Sequence, residues 1–341
     1  MIIERRIHWR LILRLAVTPV LFSATWTLFV YLVYWYFELR FLAIPFLPIG
    51  TIGTAVAFYV GFKNNSAYAR FWEGRIIWGG IVNESRSWAT AILTYVDENT
   101  DPKVQEEDLQ RLIYRHLAWI NSLRIQLRAK SRFEENGHPK TKERLNKHRE
   151  HMRNDWDDEV RGFLSPQEFD HVKAQINPAT HLLKAQGRDL RDLHQAGRIN
   201  DMQEVSLMAI IRECFALQGK CERIKNTPFP RQYAEYSKWF TRIFILLVPF
   251  GLLNVFASHV AHQLTPEAFI PMIPMLLAAC LITWVFVTME AIGDASEDPF
   301  ERSVNDVPMN ALCRTIERDL RQMLGETKLP EAEKPAGFVL Y

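Results

Sequence analysis

The chain has 341 residues, 48% of them hydrophobic and 12% aromatic, with a formal net charge of +2. Its charge is segregated: the stretches 15–37, 41–62, 243–266 and 268–289 contain no Asp, Glu, Lys or Arg, and each can cross a hydrocarbon core, which takes about 20 helical residues. This excludes an ordinary soluble globule and the collagen-like, disordered and disulfide-scaffold classes; the small net charge gives no case for a nucleic-acid partner, and four scattered cysteines without a CxxC give none for a zinc ribbon.

Arg5, Arg6, Arg10 and Arg14 precede the first apolar stretch, Leu15–Phe37. A cleaved signal has an apolar region of about 7–15 residues. This one is longer and ends in the aromatic run Tyr31–Phe37, which suits an interfacial belt. The pattern predicts a retained transmembrane helix with a cytoplasmic N-terminus, and an amphipathic lead-in over His8–Arg14. In Phe41–Phe62, Pro45 and Pro48 suit a short loop and a helix start. From Ile49 a helix can run on through Arg75, and Lys63, Arg70 and Arg75 mark its cytoplasmic end. Residues 1–75 are thus expected to form a transmembrane hairpin.

Residues 76–235 are expected to form a helical cytosolic region. Ile76–Tyr95 and Leu109–Arg128 show helical periodicity with polar faces. The charge-rich segment 129–162 is broken at Asn136-Gly137-His138-Pro139. Ser165 and Glu168 have capping-box spacing. A helix over Asp201–Ile224 should stop before Pro228 and Pro230, which lack amide donors. Residues 236–293 read as a second hairpin with Pro266 and Pro271 near its turn. Residues 294–341 read as a cytosolic helix, Met309–Leu324, and a loose tail from Gly325. The fold class is an all-α membrane protein with four transmembrane helices and a large helical cytosolic bundle.

No phosphate-binding glycine loop, dinucleotide fingerprint or nucleophile elbow is present. His148/His151 and His259/His262 have metal-like spacings but no clear third ligand, so surface and interfacial histidines explain them better. No metal, cofactor or enzymatic activity is expected. Glu290, Asp294 and Asp298 recur at i, i+4 and i+8, with Glu297 beside them. A solvated helix end facing Arg302 and Arg314 is weighed there against a cation site. Glu73 is expected to pair with Arg70, and Trp72 and Trp78 to pack. Asn64 and Asn65 suit either the water-filled mouth of a pore or a cap or interface role.

The run Gly61-Phe-Lys-Asn-Asn-Ser-Ala-Tyr-Ala-Arg-Phe-Trp-Glu-Gly-Arg75 resembles the bestrophin family in its bacterial branch. Cys221–Pro230 is similar to the family segment before the third span. Glu297-Asp-Pro-Phe300, followed by Asn305-Asp-Val-Pro308, is similar to its post-span signature. The three blocks stand in family order and extend the resemblance over nearly the whole chain. The resemblance implies a homopentameric ion channel of the plasma membrane (a bacterial inner membrane), multi-pass, with both termini cytoplasmic. Its partners would be its own copies, the lipid bilayer and small ions.

Matching the first block to the family pattern puts the pore neck at Thr54, Phe58 and Phe62, where Thr54 departs from the apolar pattern. The resemblance also implies a cytosolic aperture near Ile199, Met202 and Val205. The calcium clasp of animal members is not expected, because Arg302, Ser303 and Val304 interrupt the acidic run after Phe300. By spacing alone Thr54, Phe58 and Phe62 share one helical face, and Ile52, Val56 and Val60 another. Phenylalanine rings exclude water and present a positive edge, which leans toward anions such as chloride. A monovalent-cation (sodium) channel of the same fold stays open. So, with less support, do a metal enzyme using His259, His262 and the 290–298 carboxylates, and a membrane protein whose cytosolic helices only bind partners.

Overall fold

The computed structural model describes residues 1, 3, 9–96, 102–129, 153–257, 269–300, 305–337 and 339–341. Its elements, in chain order, are helices α1 (Trp9–Tyr36), α2 (Phe46–Tyr95), α3 (Pro102–Arg128), α4 (Trp156–Glu159), α5 (Pro166–Lys173), α6 (Pro178–Gln195), α7 (Asp201–Asn226), α8 (Arg231–Phe256), α9 (Met272–Asp294) and α10 (Met309–Met323). Among the described residues the only β pairing is a lone bridge between Ala336 and Val339. Among the same residues, four helical segments are long and apolar enough to cross a membrane: Ala16–Tyr36, Arg40–Tyr95, Arg231–Phe256 and Met272–Asp294.

The residues divide into two compact units, split at 3/4, 69/70, 228/229 and 297/298. The expected limit at 75/76 and the division at 69/70 both lie inside α2, and the expected limit at 235/236 lies inside α8. Nothing between Arg75 and Ile76 stops a helix, and α2 runs on for 50 residues without a break.

The apolar unit (residues 4–69 and 229–297) holds α1, the first half of α2, α8 and α9. In α1 the residues from Trp9 continue into the span as one helix; Arg5 and Arg6 lie outside the described residues. Pro48 sits in the first turn of α2, where its missing donor costs nothing. Helices α1, α8 and α9 pack on one another, and small polar side chains meet between them: Thr283 Oγ1 donates to Ser23 Oγ at 2.9 Å. Such small hydroxyls let helices approach closely where lipid offers no hydrophobic drive. Two of the five aromatics of the expected belt turn inward. Tyr31 and Tyr34 are buried, whereas Tyr36 and Phe37 are exposed, because Tyr34 faces α8 and its hydroxyl lies 3.4 Å from the Ala257 carbonyl.

The polar unit (residues 1–3, 70–228 and 298–341) has a core built on Trp78, Trp88, Trp119, Leu112, Ile113, Leu182, Leu190 and Ile316. Trp72, by contrast, is half-exposed, so of the two tryptophans expected to pack only Trp78 is buried. Among the capped helix starts of this unit, only that at Ser165 was expected. Ser165 Oγ accepts from the Glu168 amide, Asn177 caps α6, and Asn200 with Gln203 closes a reciprocal capping box on α7. Helix α7 ends at Asn226, just ahead of Pro228. Buried charge is paired: Arg124 reaches Glu159 at 2.7 Å and Asn310 Oδ1 at 2.5 Å.

The tail after Gly325 departs from expectation and packs. Arg321 holds Glu326 at 2.7 Å, Arg318 donates to the Pro330 carbonyl, and Val339 and Tyr341 are buried. Backbone carbonyls and acidic side chains of the tail satisfy the arginines of α10, a pairing that composition alone does not announce.

Candidate functional site

Within the apolar unit, α2 presents two contrasting faces. Gly53, Val56, Val60, Lys63 and Ala67 are buried, at the three-and-four spacing of one helical stripe. Thr51, Thr54, Phe58, Phe62 and Asn65 are exposed on the opposite stripe. Phe58 and Phe62 keep 65% and 69% of their surface uncovered. Of the second face read from spacing, Val56 and Val60 are buried, but Ile52 is exposed.

The stripe is less polar than its residue types suggest. Thr54 Oγ1 donates to the Gly50 carbonyl at 3.0 Å, and Thr51 Oγ1 to the Leu47 carbonyl at 3.0 Å. A threonine whose hydroxyl bonds back to its own helix has spent its donor. The departure at Thr54 from an apolar residue is therefore softened.

The buried stripe explains the glycines. A Cβ on Gly53 would lie 2.6 Å from the Phe244 ring. One turn past Val60, Lys63 is buried with its side chain fully covered. Its Nζ lies 2.8 Å from Glu290 and 3.2 Å from Glu297. Asn64 Nδ2 donates to the Met289 carbonyl at 2.7 Å. Asn64 is half-buried and Asn65 exposed, so only Asn65 lies on the exposed stripe. Burial pushes the Glu297 carboxyl up from its ordinary range, against the pull of Lys63.

The carboxylates after the fourth apolar stretch are thus not a merely solvated end. Glu290 and Glu297 meet Lys63, Asp294 meets Lys238 at 2.9 Å, and Asp298 meets Arg70 at 3.6 Å. The bases come from α2 and α8 rather than from Arg314, which pairs with Glu317; Arg302 lies outside the described residues. Arg70 does not pair with Glu73. It donates to the carbonyls of Ile224 and Thr227 at the end of α7, at 2.5 and 2.6 Å, while Glu73 pairs with Arg223. Carbonyls left over at a helix end are strong acceptors for a guanidinium, and they outcompete the carboxylate one turn away.

In the polar unit, the start of α7 carries Met202 and Val205, 79% and 66% exposed. Ile199 is only 4% exposed and belongs to the core. It sits just before the Asn200 cap, where the chain turns inward, so it does not reach a surface with the other two. No group of three or more possible metal ligands occurs among the described residues. His148, His151, His259, His262 and the run 301–304 lie outside them.

A model of the bacterial and fungal bestrophin proteins matches residues 3–322. The chain belongs to the bestrophin family. Its fold is that of a bacterial bestrophin homologue from Klebsiella pneumoniae, with a TM-score of 0.74 at 22% identity over 92% of this chain and 99% of that one. Among sequence relatives, the voltage-dependent anion channel-forming protein YneE of Escherichia coli K12 is 27% identical over 301 residues, 88% of this chain and 84% of YneE. YneE of Salmonella typhi is 29% identical over 288 residues, 84% and 80% of the two chains. The bestrophin match runs through the α2 stripe, the end of α7 and the Pro299-Phe300 segment. Sequence reasoning about this bestrophin chain missed the Lys63 cluster, although a lysine directly after a charge-free stretch of 22 residues (41–62) was a signal for it.

Proposed function

We propose that this chain is the subunit of a homopentameric anion channel with four transmembrane helices per subunit. The reading rests on one observation above the others. In the charge-free half of α2, Phe58 and Phe62 stay exposed on one stripe while the opposite stripe is buried. Five copies of that stripe around an axis would line a narrow apolar neck of Thr54, Phe58 and Phe62. Rings of this kind hold no ion. They gate by excluding water, and their edges favour an anion. The relatives named as voltage-dependent anion channel-forming proteins support the same sign. Met202 and Val205, without Ile199, are the residues we assign to a second, cytosolic aperture, and Asn65 rather than Asn64 to the inner mouth.

The four charge-poor spans and the arginines before the first support a location in a bacterial inner membrane with both termini cytoplasmic. The test is the reversal potential of purified protein in planar bilayers under asymmetric salt. An anion channel reverses near the chloride equilibrium potential. Reversal near the sodium potential would replace this reading with a cation channel of the same fold, and no flux under any condition would end both.

A further inference from the structure

Helix α2 must present its phenylalanines at a fixed azimuth for a neck to have a defined width. Upstream of residue 63, apolar packing holds it: Gly53 against Phe244, and Val56 and Val60 in the core of the apolar unit. Apolar packing resists separation more than it resists rotation. Directional contacts begin immediately after Phe62. Lys63 spans to Glu290 on α9 and to Glu297 just beyond it. Asn64 takes the Met289 carbonyl. Gly293 completes the seat, since a Cβ there would fall 1.9 Å from Asn64 Oδ1. Consecutive residues of a helix point about 100° apart, so two adjacent side chains tied to one neighbouring helix fix rotation as well as height.

We infer that Lys63, seated between Glu290 and Glu297, is a positioning residue for the neck: it locks the rotation of α2 against α9 and thereby sets how far Phe58 and Phe62 project. The inference rests on the neck reading above. Its energetic reason is the cost of the alternative. A fully buried ammonium is tolerated only if paired, so any rotation of α2 that strips Lys63 of its carboxylates is strongly opposed. The same geometry explains why three acids and two bases gather here. Lys238 occupies Asp294 at 2.9 Å, which leaves Glu290 and Glu297 to Lys63.

The experiment records single-channel conductance and relative ion permeability in planar bilayers for wild type, Lys63→Met, Lys63→Arg, Glu297→Gln and Phe58→Ala. Complex mass and melting temperature in detergent are measured alongside. Lys63→Met should keep the wild-type complex mass and change relative permeability by about fivefold or more, the lower end of a typical coupling between sites. The direction should be that of Phe58→Ala. Lys63→Arg, which keeps the charge, should return permeability toward wild type. Glu297→Gln should give a smaller shift, because Glu290 still holds the ammonium.

If Lys63→Met does not assemble, Glu297→Gln and Gly293→Ala decide the matter, the latter displacing Asn64 without altering charge. A lowered melting temperature with wild-type permeability in these variants overturns the inference and leaves the cluster a packing feature. If Phe58→Ala also leaves permeation unchanged, the neck reading fails and takes the inference with it. If Phe58→Ala alone changes permeation, only the positioning role is lost.

Discussion

His116 shows what a single residue can hold that its neighbours in sequence do not reveal. It is fully buried in α3, between the rings of Trp88 and Trp119. Ser85 Oγ donates to the Ile81 carbonyl at 2.6 Å. The Nε2–H of His116 must then be the donor to Ser85 Oγ at 2.9 Å, and Nδ1 accepts from Gln186 Nε2 at 3.2 Å. The chain Ser85–His116–Gln186 looks like hydrolase machinery, but all three side chains are buried, and no substrate reaches them. It is a core network that fixes one tautomer. Its members come from α2, α3 and α6, so no local pattern announced it. Burial pushes the His116 pKa down to about 3. A neutral folded imidazole and an unfolded one titrating near 6.5 mean that the stability it supports is complete above pH 6.5 and is lost as pH falls from there toward 3. At pH 5 the loss from this group is about 2 kcal/mol. Melting temperatures of the solubilised protein from pH 8 to pH 5 test this. His116→Gln should be less stable at pH 8 yet lose less on acidification. Equal acid slopes in the two proteins would assign the sensitivity elsewhere.

At the scale of one helix, α2 was legible in its faces and misread in its length. Spacing alone put Thr54, Phe58 and Phe62 on one side and Ile52, Val56 and Val60 on another, and burial separates them the same way except at Ile52, which is exposed. Its continuation past Arg75 was hidden because basic residues and a change from apolar to mixed composition mimic a helix end at a membrane surface. Arg70 was assigned to Glu73 by helical spacing, but a tertiary partner with exposed carbonyls won. The two faces make opposite predictions. Phe58→Ala removes an exposed ring, so melting temperature should hardly change, while flux rises and discrimination among ions weakens. Val60→Ala removes two buried methyl groups and should cost about 2 kcal/mol with selectivity intact. Bulk flux and thermal unfolding of the two variants, with complex mass checked for both, decide between them. A selectivity change in Val60→Ala with none in Phe58→Ala would put the pore face on the wrong side of the helix. Gly53→Ala should also destabilise, by about 1–3 kcal/mol, because its methyl group meets the Phe244 ring.

For the whole molecule, segregation of charge was enough to expect an all-α chain with four membrane-length helices, since burying ionised groups in hydrocarbon is prohibitive and each apolar stretch had to be a helix. The packed tail was not legible, because Arg318 and Arg321 are satisfied by backbone and side chains of a Pro- and Glu-rich segment with no periodicity of its own. Two expectations belong at this scale. Flux should be the same in chelator and in millimolar calcium, because hard cations need several oxygen ligands and the run from Glu301 to Asp306 is interrupted by Arg302, Ser303 and Val304; steep calcium dependence would mean that segment is misread. The second concerns assembly. A single copy leaves Phe58 and Phe62 uncovered in the apolar unit, and Met202 and Val205 uncovered at the start of α7. Large apolar side chains left uncovered in one copy can be covered by lipid or by another copy of the chain. A ring formed by one heterologous contact, repeated until the rotation closes, would give the exposed α2 stripe an axis to face in place of lipid. The mass of the detergent-solubilised complex, corrected for detergent, should therefore lie close to five times 39.8 kDa. Crosslinking through a cysteine at position 58 or 202 should join copies of the chain only while that complex is intact. A monomer or dimer at all concentrations would leave the α2 stripe facing lipid and remove the physical basis for a neck.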